Sequence, residues 1–496
     1  MKYVIGMDIG TSGLKSLKVN MAGDVVDQYS VSYHTEHPQS GYSEMDPEVW
    51  YDATIESLKY FVDKGASEDI VGISFSGQMH GLVMIDAQGD VIRPAILWND
   101  TRTSDEVRTL LDTVGLDTFL AHTQNTVLEG FTLPKLMWVQ RHEPNNSSKI
   151  YKIMLPKDYI AYRLTGNVYS EPSDASGTSL FNVKEGNWAQ PLLEQLQLDP
   201  TILPDIIPSH GKNGNLSTDI QAQLGLSHAI AVYQGGADNA CGALGSGITD
   251  DRTQMVSIGT SGVALAIQND ANFENDGSIH YFNHCVPNQN YIMGVTLSAG
   301  YSLGWLKRLL AADADFDTFL DDLPSTKAGA NGLLFTPYLL GERTPYNDTT
   351  IRSSFIGLDA TTTDNDLKRA VIEGITFSIN DSIDIIRNSG KPVERIVSIG
   401  GGAKNATWLQ IQADVFGAAI QTLAQEQGPA YGAAMLAAMG AGWFEDFQAI
   451  GEQWIAYRDE VEPDEAQRRT YQQLFPIYQA VYQQTQSISQ QLLSFK

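Results

Sequence analysis

Cysteine is nearly absent from this chain of 496 residues: Cys241 and Cys285 are the two it has. Neither lies in a metal-type spacing, so a disulfide framework is excluded and a reducing cytoplasm is the expected setting. Positive charge is scarce too. Thirty-two Lys and Arg stand against 59 Asp and Glu, a formal net charge of −27. Such a surface repels nucleic acid and anionic membrane, and neither is expected as a partner. The long hydrophobic run of a membrane span is missing as well. The most apolar later stretch, residues 430–444, contains several glycines and falls short of roughly 18 residues. The first residues enter a strand pattern and reach Asp8 too early for a signal-peptide core. Also missing are a Walker A segment, a protein-kinase glycine-loop set and a paired-histidine zinc motif.

What remains is an ordinary globular mixture, 42% hydrophobic and 18% charged, long enough for two or three domains. Its organising feature is an echo. Ile9-Gly10-Thr11-Ser12-Gly13 recurs as Ile258-Gly259-Thr260-Ser261-Gly262. Each copy lies between two apolar runs and reads as a β-hairpin with a small-residue tip. The expected fold class is α/β, with two similar domains spanning 1–245 and 246–496 and facing one another. Three further places carry the order strand, glycine-rich loop, helix: residues 71–81, 230–239 and 396–403. Helical patterns cover residues 366–387, 407–416 and 431–439. A last helix over 464–493, kinked at Pro476, reads as packing.

The tips suggest chemistry. Gly10, Thr11, Ser12, Gly259 and Thr260 offer backbone and hydroxyl donors to a polyphosphate, and Lys15 could add a positive charge. Taken alone, either tip also fits an ordinary Gly-rich turn. Asp8, at the end of a strand, either holds Mg²⁺ through water or caps its turn. Asp238 either accepts a proton from a hydroxyl under phosphoryl attack or N-caps the helix from Asn239, and both roles can coexist.

The segments Asp8-Ile9-Gly10-Thr11-Ser12-Gly13, Gly235-Gly236-Ala237-Asp238-Asn239-Ala240 and Ser257-Ile258-Gly259-Thr260-Ser261-Gly262 resemble those of the FGGY carbohydrate kinases. So do Gly130-Phe131-Thr132-Leu133-Pro134-Lys135 and the stretch from Gly357-Leu358 to Ala370-Val371-Ile372-Glu373. The resemblance implies an actin-like (ribonuclease H-like) ATPase fold with a cleft between its domains, and ATP with Mg²⁺ as donor. It makes Asp238 the base and Asp8 the carboxylate near the metal, with Met79, His80, Asp238, Asn239 and Trp98 around a sugar. Gly10, Thr11, Ser12, Gly259 and Thr260 would contact phosphates. Gly300, Gly401, Gly402, Ala403 and Asn405 would flank the nucleoside; some relatives have Asn where this chain has Ala406. Within the family, Gly77-Gln78-Met79-His80-Gly81, Ile96-Leu97-Trp98-Asn99-Asp100-Thr101-Arg102, Leu155-Pro156-Lys157-Asp158-Tyr159 and Leu340-Gly341-Glu342-Arg343-Thr344-Pro345 resemble the members that act on D-xylulose. Glycerol-specific members carry Arg-Glu where Met79-His80 stands here. Gluconate, L-ribulose and L-fuculose are the rival acceptors, and a non-catalytic ATP-switched binding protein is the rival from another class. A homodimer is one candidate assembly; sequence leaves the oligomeric state open.

Overall fold

The computed structural model describes residues 1–65, 67–458 and 460–495. Two sheets of one design dominate it. In the first, β1 (Tyr3–Ile9), β2 (Gly13–Asn20) and β3 (Val25–Ser32) form an antiparallel meander. β4 (Ile70–Gly77) lies parallel to β1. β5 (Lys212–Asn215) and β6 (Ala231–Tyr233) complete the far edge, giving the order β5-β6-β4-β1-β2-β3.

The second sheet repeats the plan with β7 (Thr253–Ile258), β8 (Gly262–Ile267), β9 (His280–Asn283), β10 (Asn290–Thr296), β11 (Arg395–Gly400) and β12 (Ala419–Gln421). Its order is β9-β10-β8-β7-β11-β12, with β7, β11 and β12 parallel. In both sheets a hairpin opens the half and parallel strands are added beside its first strand. Burial explains the strand sequences. Central β1 is apolar along nearly its whole length, as a strand covered on both faces must be, whereas outer β3 alternates half-buried and exposed positions.

Helices cover the sheets. α1 (Pro47–Asp63), started by the Asp46 side chain, sends Trp50 and Phe61 into a core with Ile5, Met7 and Ile73. In the second half α4 (Asp364–Asn388) opens with a reciprocal capping box between Thr363 and Asp366. Its stripe Ala370, Val371, Ile375 and Ile379 fills the second core. Between the sheets, α2 (Asp238–Leu244) meets α6 (Pro429–Gly440) at very close range. A Cβ on Gly432 would stand 1.9 Å from the Cys241 carbonyl, and one on Gly6 of β1 2.0 Å from the Ala430 carbonyl. A helix late in the chain therefore packs on the first sheet, and glycine is what permits the approach. Cys241 and Cys285 are both buried and free. Among the described residues no helix is long and apolar enough to cross a membrane.

One local expectation changes. After β4 the chain enters a strand, Val83–Ile85, rather than a helix. Leu82, Val83, Met84 and Ile85 are all buried, and the strand pairs with residues 152–154. A run buried on every side has no exposed helical face to offer. The last helix, α7 (Glu465–Leu493), contains Pro476 inside one continuous element.

Candidate active site

Asp238 is the first residue of α2; Ala237 holds the N-cap position and offers no side-chain cap. The carboxylate therefore does not cap the helix as an N-cap residue would. Its Oδ1 accepts hydrogen bonds from the Asn239 backbone N–H at 2.6 Å and the Asn239 side-chain amide at 3.0 Å. Among the described residues Oδ2 takes no hydrogen bond. Gly235, with φ 88°, makes the turn that delivers Asp238, because a Cβ there would lie 2.2 Å from the Phe75 carbonyl. Burial and the negative charge of Asp8 push Asp238 up to about 7.

Asp8 lies in register with Ser76 of β4 and Lys15 of β2. It accepts a hydrogen bond from the Ser76 hydroxyl at 2.9 Å, not from the backbone of its own turn, so it does not act as the turn's cap. Burial holds it above the usual carboxylate range, with Ser76 and Lys15 offsetting part of the shift. A buried carboxyl whose negative charge raises the proton affinity of a neighbouring carboxyl suits a divalent cation. Among the described residues no cluster of three or more ligating side chains exists. Mg²⁺ commonly needs only one or two carboxylates besides phosphate oxygens and water, so Asp8 and its surroundings fit it.

Met79 is almost completely buried, and its sulfur lies 3.7 Å from the Asn239 side-chain nitrogen. It packs against the Asn239 side chain. His80 follows with φ 68°, its ring stacked 4.3 Å from Phe131. Its Nδ1 lies 2.6 Å from the Gly177 carbonyl, which can only accept, so Nδ1 carries the proton and Nε2 is left as an acceptor. Burial, reinforced by Lys135 and Arg343, pushes this imidazole down to about 3. A neutral ring with a free acceptor nitrogen suits a hydroxyl. Trp98 is 40% exposed and donates from Nε1 to the Thr11 hydroxyl at 2.9 Å. That bond ties the Trp98 loop to the first tip.

The first tip is held by side chains. Gly10 O accepts from Tyr33 OH at 2.7 Å and from the Gln78 amide at 3.2 Å. Thr11 O accepts from the Thr35 hydroxyl. Ser12 is exposed. Lys15, expected near phosphate, donates one of its three N–H groups to the Gln427 carbonyl at 2.8 Å, a contact between the halves. Among the described residues the backbone N–H groups of Thr11, Ser12, Thr260 and Ser261 donate to no protein acceptor.

Gly259, Thr260, Gly300, Gly401, Gly402 and Asn405 line one cavity of about 550 Å³ in the second half. Ala403 is not among its lining residues. Asn405 also N-caps α5 (Ala406–Phe416), its Oδ1 accepting from Trp408 N at 3.0 Å. Among the described residues its amide nitrogen is free for a ligand. Tyr301, Arg308, Phe316, Asp317 and Lys404 share the cavity and were not foreseen. A signal existed for one of them. Gly300, Gly304 and Arg308 recur every four residues on α3 (Ala299–Leu310), placing two small residues and a cation on one face.

Residues 3–245 match the N-terminal domain, and residues 254–441 the C-terminal domain, of the FGGY family of carbohydrate kinases. The xylulose kinase of Staphylococcus xylosus is 64% identical over 482 residues, covering 97% of this chain and 100% of that protein. A crystal structure described as a xyloylose kinase from Brucella ovis superposes with a TM-score of 0.92 at 33% identity, covering 98% of this chain and 100% of that one. A gluconate kinase from Lactobacillus acidophilus superposes with a TM-score of 0.93 at 28% identity, covering 98% of each chain.

Proposed function

Because the chain belongs to the FGGY family of carbohydrate kinases, we propose that it transfers the terminal phosphoryl group of ATP to the 5-hydroxyl of D-xylulose. The reading rests on one juxtaposition. A carboxylate has one oxygen fixed by Asn239 and the other free, and Asn239 in turn touches the sulfur of Met79, whose chain neighbour His80 is neutral and accepting. Identity of 64% to a xylulose kinase supports the acceptor; the equally good superposition of a gluconate kinase shows that the fold alone does not choose it.

Asp238 orients the 5-hydroxyl through Oδ2 and takes its proton as the oxygen attacks phosphorus. Asn239 keeps Oδ1 occupied, so the carboxylate cannot turn away from the acceptor. His80 Nε2 accepts from a second hydroxyl and fixes the chain of the sugar. The unsatisfied N–H groups of Thr11, Ser12, Thr260 and Ser261 bind phosphate oxygens as charge moves onto them. Mg²⁺, held at Asp8, would supply charge neutralisation at the phosphates. The nucleoside occupies the cavity of Gly300, Gly401 and Gly402.

ADP release is to be followed with D-xylulose, L-ribulose, gluconate and glycerol in turn, and the phosphorylated carbon identified by ³¹P–¹H NMR. D-xylulose is expected to give the highest kcat/KM, with phosphate on O5. ADP release independent of any sugar, or a clear preference for gluconate, overturns the reading.

A further inference from the structure

Carbohydrate chemistry adds a requirement. In a 2-pentulose the 5-hydroxyl closes the furanose ring on C2, and in that ring O5 carries no proton and cannot be phosphorylated. Transfer to O5 therefore needs the open-chain keto form, with a free C2 carbonyl that must be recognised away from the reacting end. A carbonyl oxygen only accepts, so its partner must be a donor.

Arg343 provides one. It follows Glu342, yet does not pair with it. The buried Glu342 carboxylate is saturated by neutral donors: Leu297 N–H at 3.0 Å and Arg343 N–H at 2.8 Å on one oxygen, the Thr296 and Ser378 hydroxyls at 2.8 and 2.9 Å on the other. Among the described residues no carboxylate oxygen lies within ion-pair distance, 4.0 Å, of the Arg343 guanidinium, which is only partly exposed. The backbone beside it is fixed. Thr344 N donates to Val295 O, and Val295 N donates to the Thr344 hydroxyl, both at 3.0 Å, anchoring the segment to β10.

The neighbours give its position. β10 pairs with β9, where His280 stands opposite Met293. His280 and His80 both lie against Phe131, with centroids 5.8 and 4.3 Å away. The positive charge of Arg343 acts on both imidazoles, holding them neutral alongside burial. Met79 joins Asn239 to His80, its neighbour in the chain. Thr344, next to Arg343, is bonded to Val295, two residues along β10 from Met293 opposite His280, so Arg343 adjoins the His80–Phe131–His280 ring cluster.

We propose that the Arg343 guanidinium, reaching in from the second half of the chain, hydrogen-bonds the C2 carbonyl oxygen of the open-chain ketose and so selects ketose over pentitol. The inference rests on the D-xylulose reading above.

The test compares D-xylulose with its C2-reduced forms, xylitol and D-arabinitol, in wild type, Arg343→Met and Arg343→Lys, by sugar-dependent ADP release. Wild type should strongly prefer the ketose. Arg343→Met should lower kcat/KM on D-xylulose about 10- to 150-fold, the value of a hydrogen bond from a charged donor, and change the pentitols much less. Lys, a point charge without the planar fork, should restore part of the preference at most. Equal losses on all three sugars, or a wild type indifferent to the carbonyl, overturn the assignment. If the Met variant does not fold, a Lys variant with the wild-type ketose preference overturns it equally. A wild type that responds to none of the three sugars overturns the D-xylulose reading itself.

Discussion

The pentapeptide Ile-Gly-Thr-Ser-Gly occurs twice and folds two ways. In the first copy Ile9 pairs with Leu14, and Gly10 N donates to Gly13 O at 3.0 Å. In the second, Ile258 pairs with Gly262, and Gly259 N donates to Ser261 O at 2.9 Å, a turn shorter by one residue. The surroundings differ in the same sense. Tyr33, Thr35, Gln78 and Trp98 hold the first tip through their side chains. The second tip is held by backbone: Gly300 N donates to Gly259 O at 2.9 Å and Tyr301 N to Thr260 O at 3.0 Å, both from the start of α3. Identical residues can thus serve different ends. The first tip is wired to Gln78 and Trp98; the second is left bare of side chains, as one wall of the cavity proposed for the nucleoside.

If the halves divide the work in this way, damage to each should be separable. The largest effect belongs to Asp238→Ala, which should lower kcat by about 10²–10⁴-fold while leaving ADP affinity nearly unchanged by calorimetry. Comparable loss of both would merge the roles. On the other side, Gly300→Ala places a Cβ 2.4 Å from the Gly259 carbonyl, so the second tip must move. Such overpacking typically costs about 1–3 kcal/mol, and ADP affinity should fall about 10- to 100-fold with little change in the KM for sugar.

A third change sharpens the electrostatic link inside the first half. Asp238 must be ionised to accept a proton, so kcat/KM should rise with pH through about 7. Asp8→Asn removes a negative neighbour, and the acidic limb of the profile should move to lower pH. Stability follows the same group. A carboxyl whose folded value stands above 3.8 binds more protons folded than unfolded, so its contribution is lost as pH rises from 3.8 to about 7. Urea titrations of Asp238→Asn should show a smaller decline across that window than wild type. An acidic limb that stays in place in Asp8→Asn would remove the coupling.

Much of this arrangement was legible. The repeated pentapeptide announced two hairpins, and the Gly235–Asp238 turn announced a carboxylate at a strand end. The different closures of the two tips were not, because five identical residues carry no record of what packs against them. Lys15 bonding Gln427 belongs to the same class, since it joins segments at opposite ends of the chain. The placement of α6 was half visible. Residues 431–439 read as a helix, and a helix apolar all round signals burial on every side; Ala430, Ala433, Ala434 and Ala437 are fully buried, but against which sheet they pack the pattern does not say. Arg343 lies in a motif legible in the sequence, but only the structure reveals that neutral donors occupy the Glu342 carboxylate beside it.

The smallest expected effect is the most direct test of the contrast between the tips. The Thr11 hydroxyl accepts from Trp98 at 2.9 Å and reaches the Gln78 amide oxygen at 3.4 Å, whereas the exposed Thr260 hydroxyl has no protein partner among the described residues. Valine keeps the shape and β-branching of threonine and deletes only the polar atom. Thr11→Val should therefore lose about 0.5–1.5 kcal/mol and leave the Trp98 indole N–H without its acceptor. Thr260→Val, at the matching residue of the same pentapeptide, should stay within about 0.5 kcal/mol of wild type. Paired chemical denaturation of the two variants reads the difference. Equal losses would mean that the first tip's side-chain bonds contribute nothing net, and that its wiring to Gln78 and Trp98 has no energetic content.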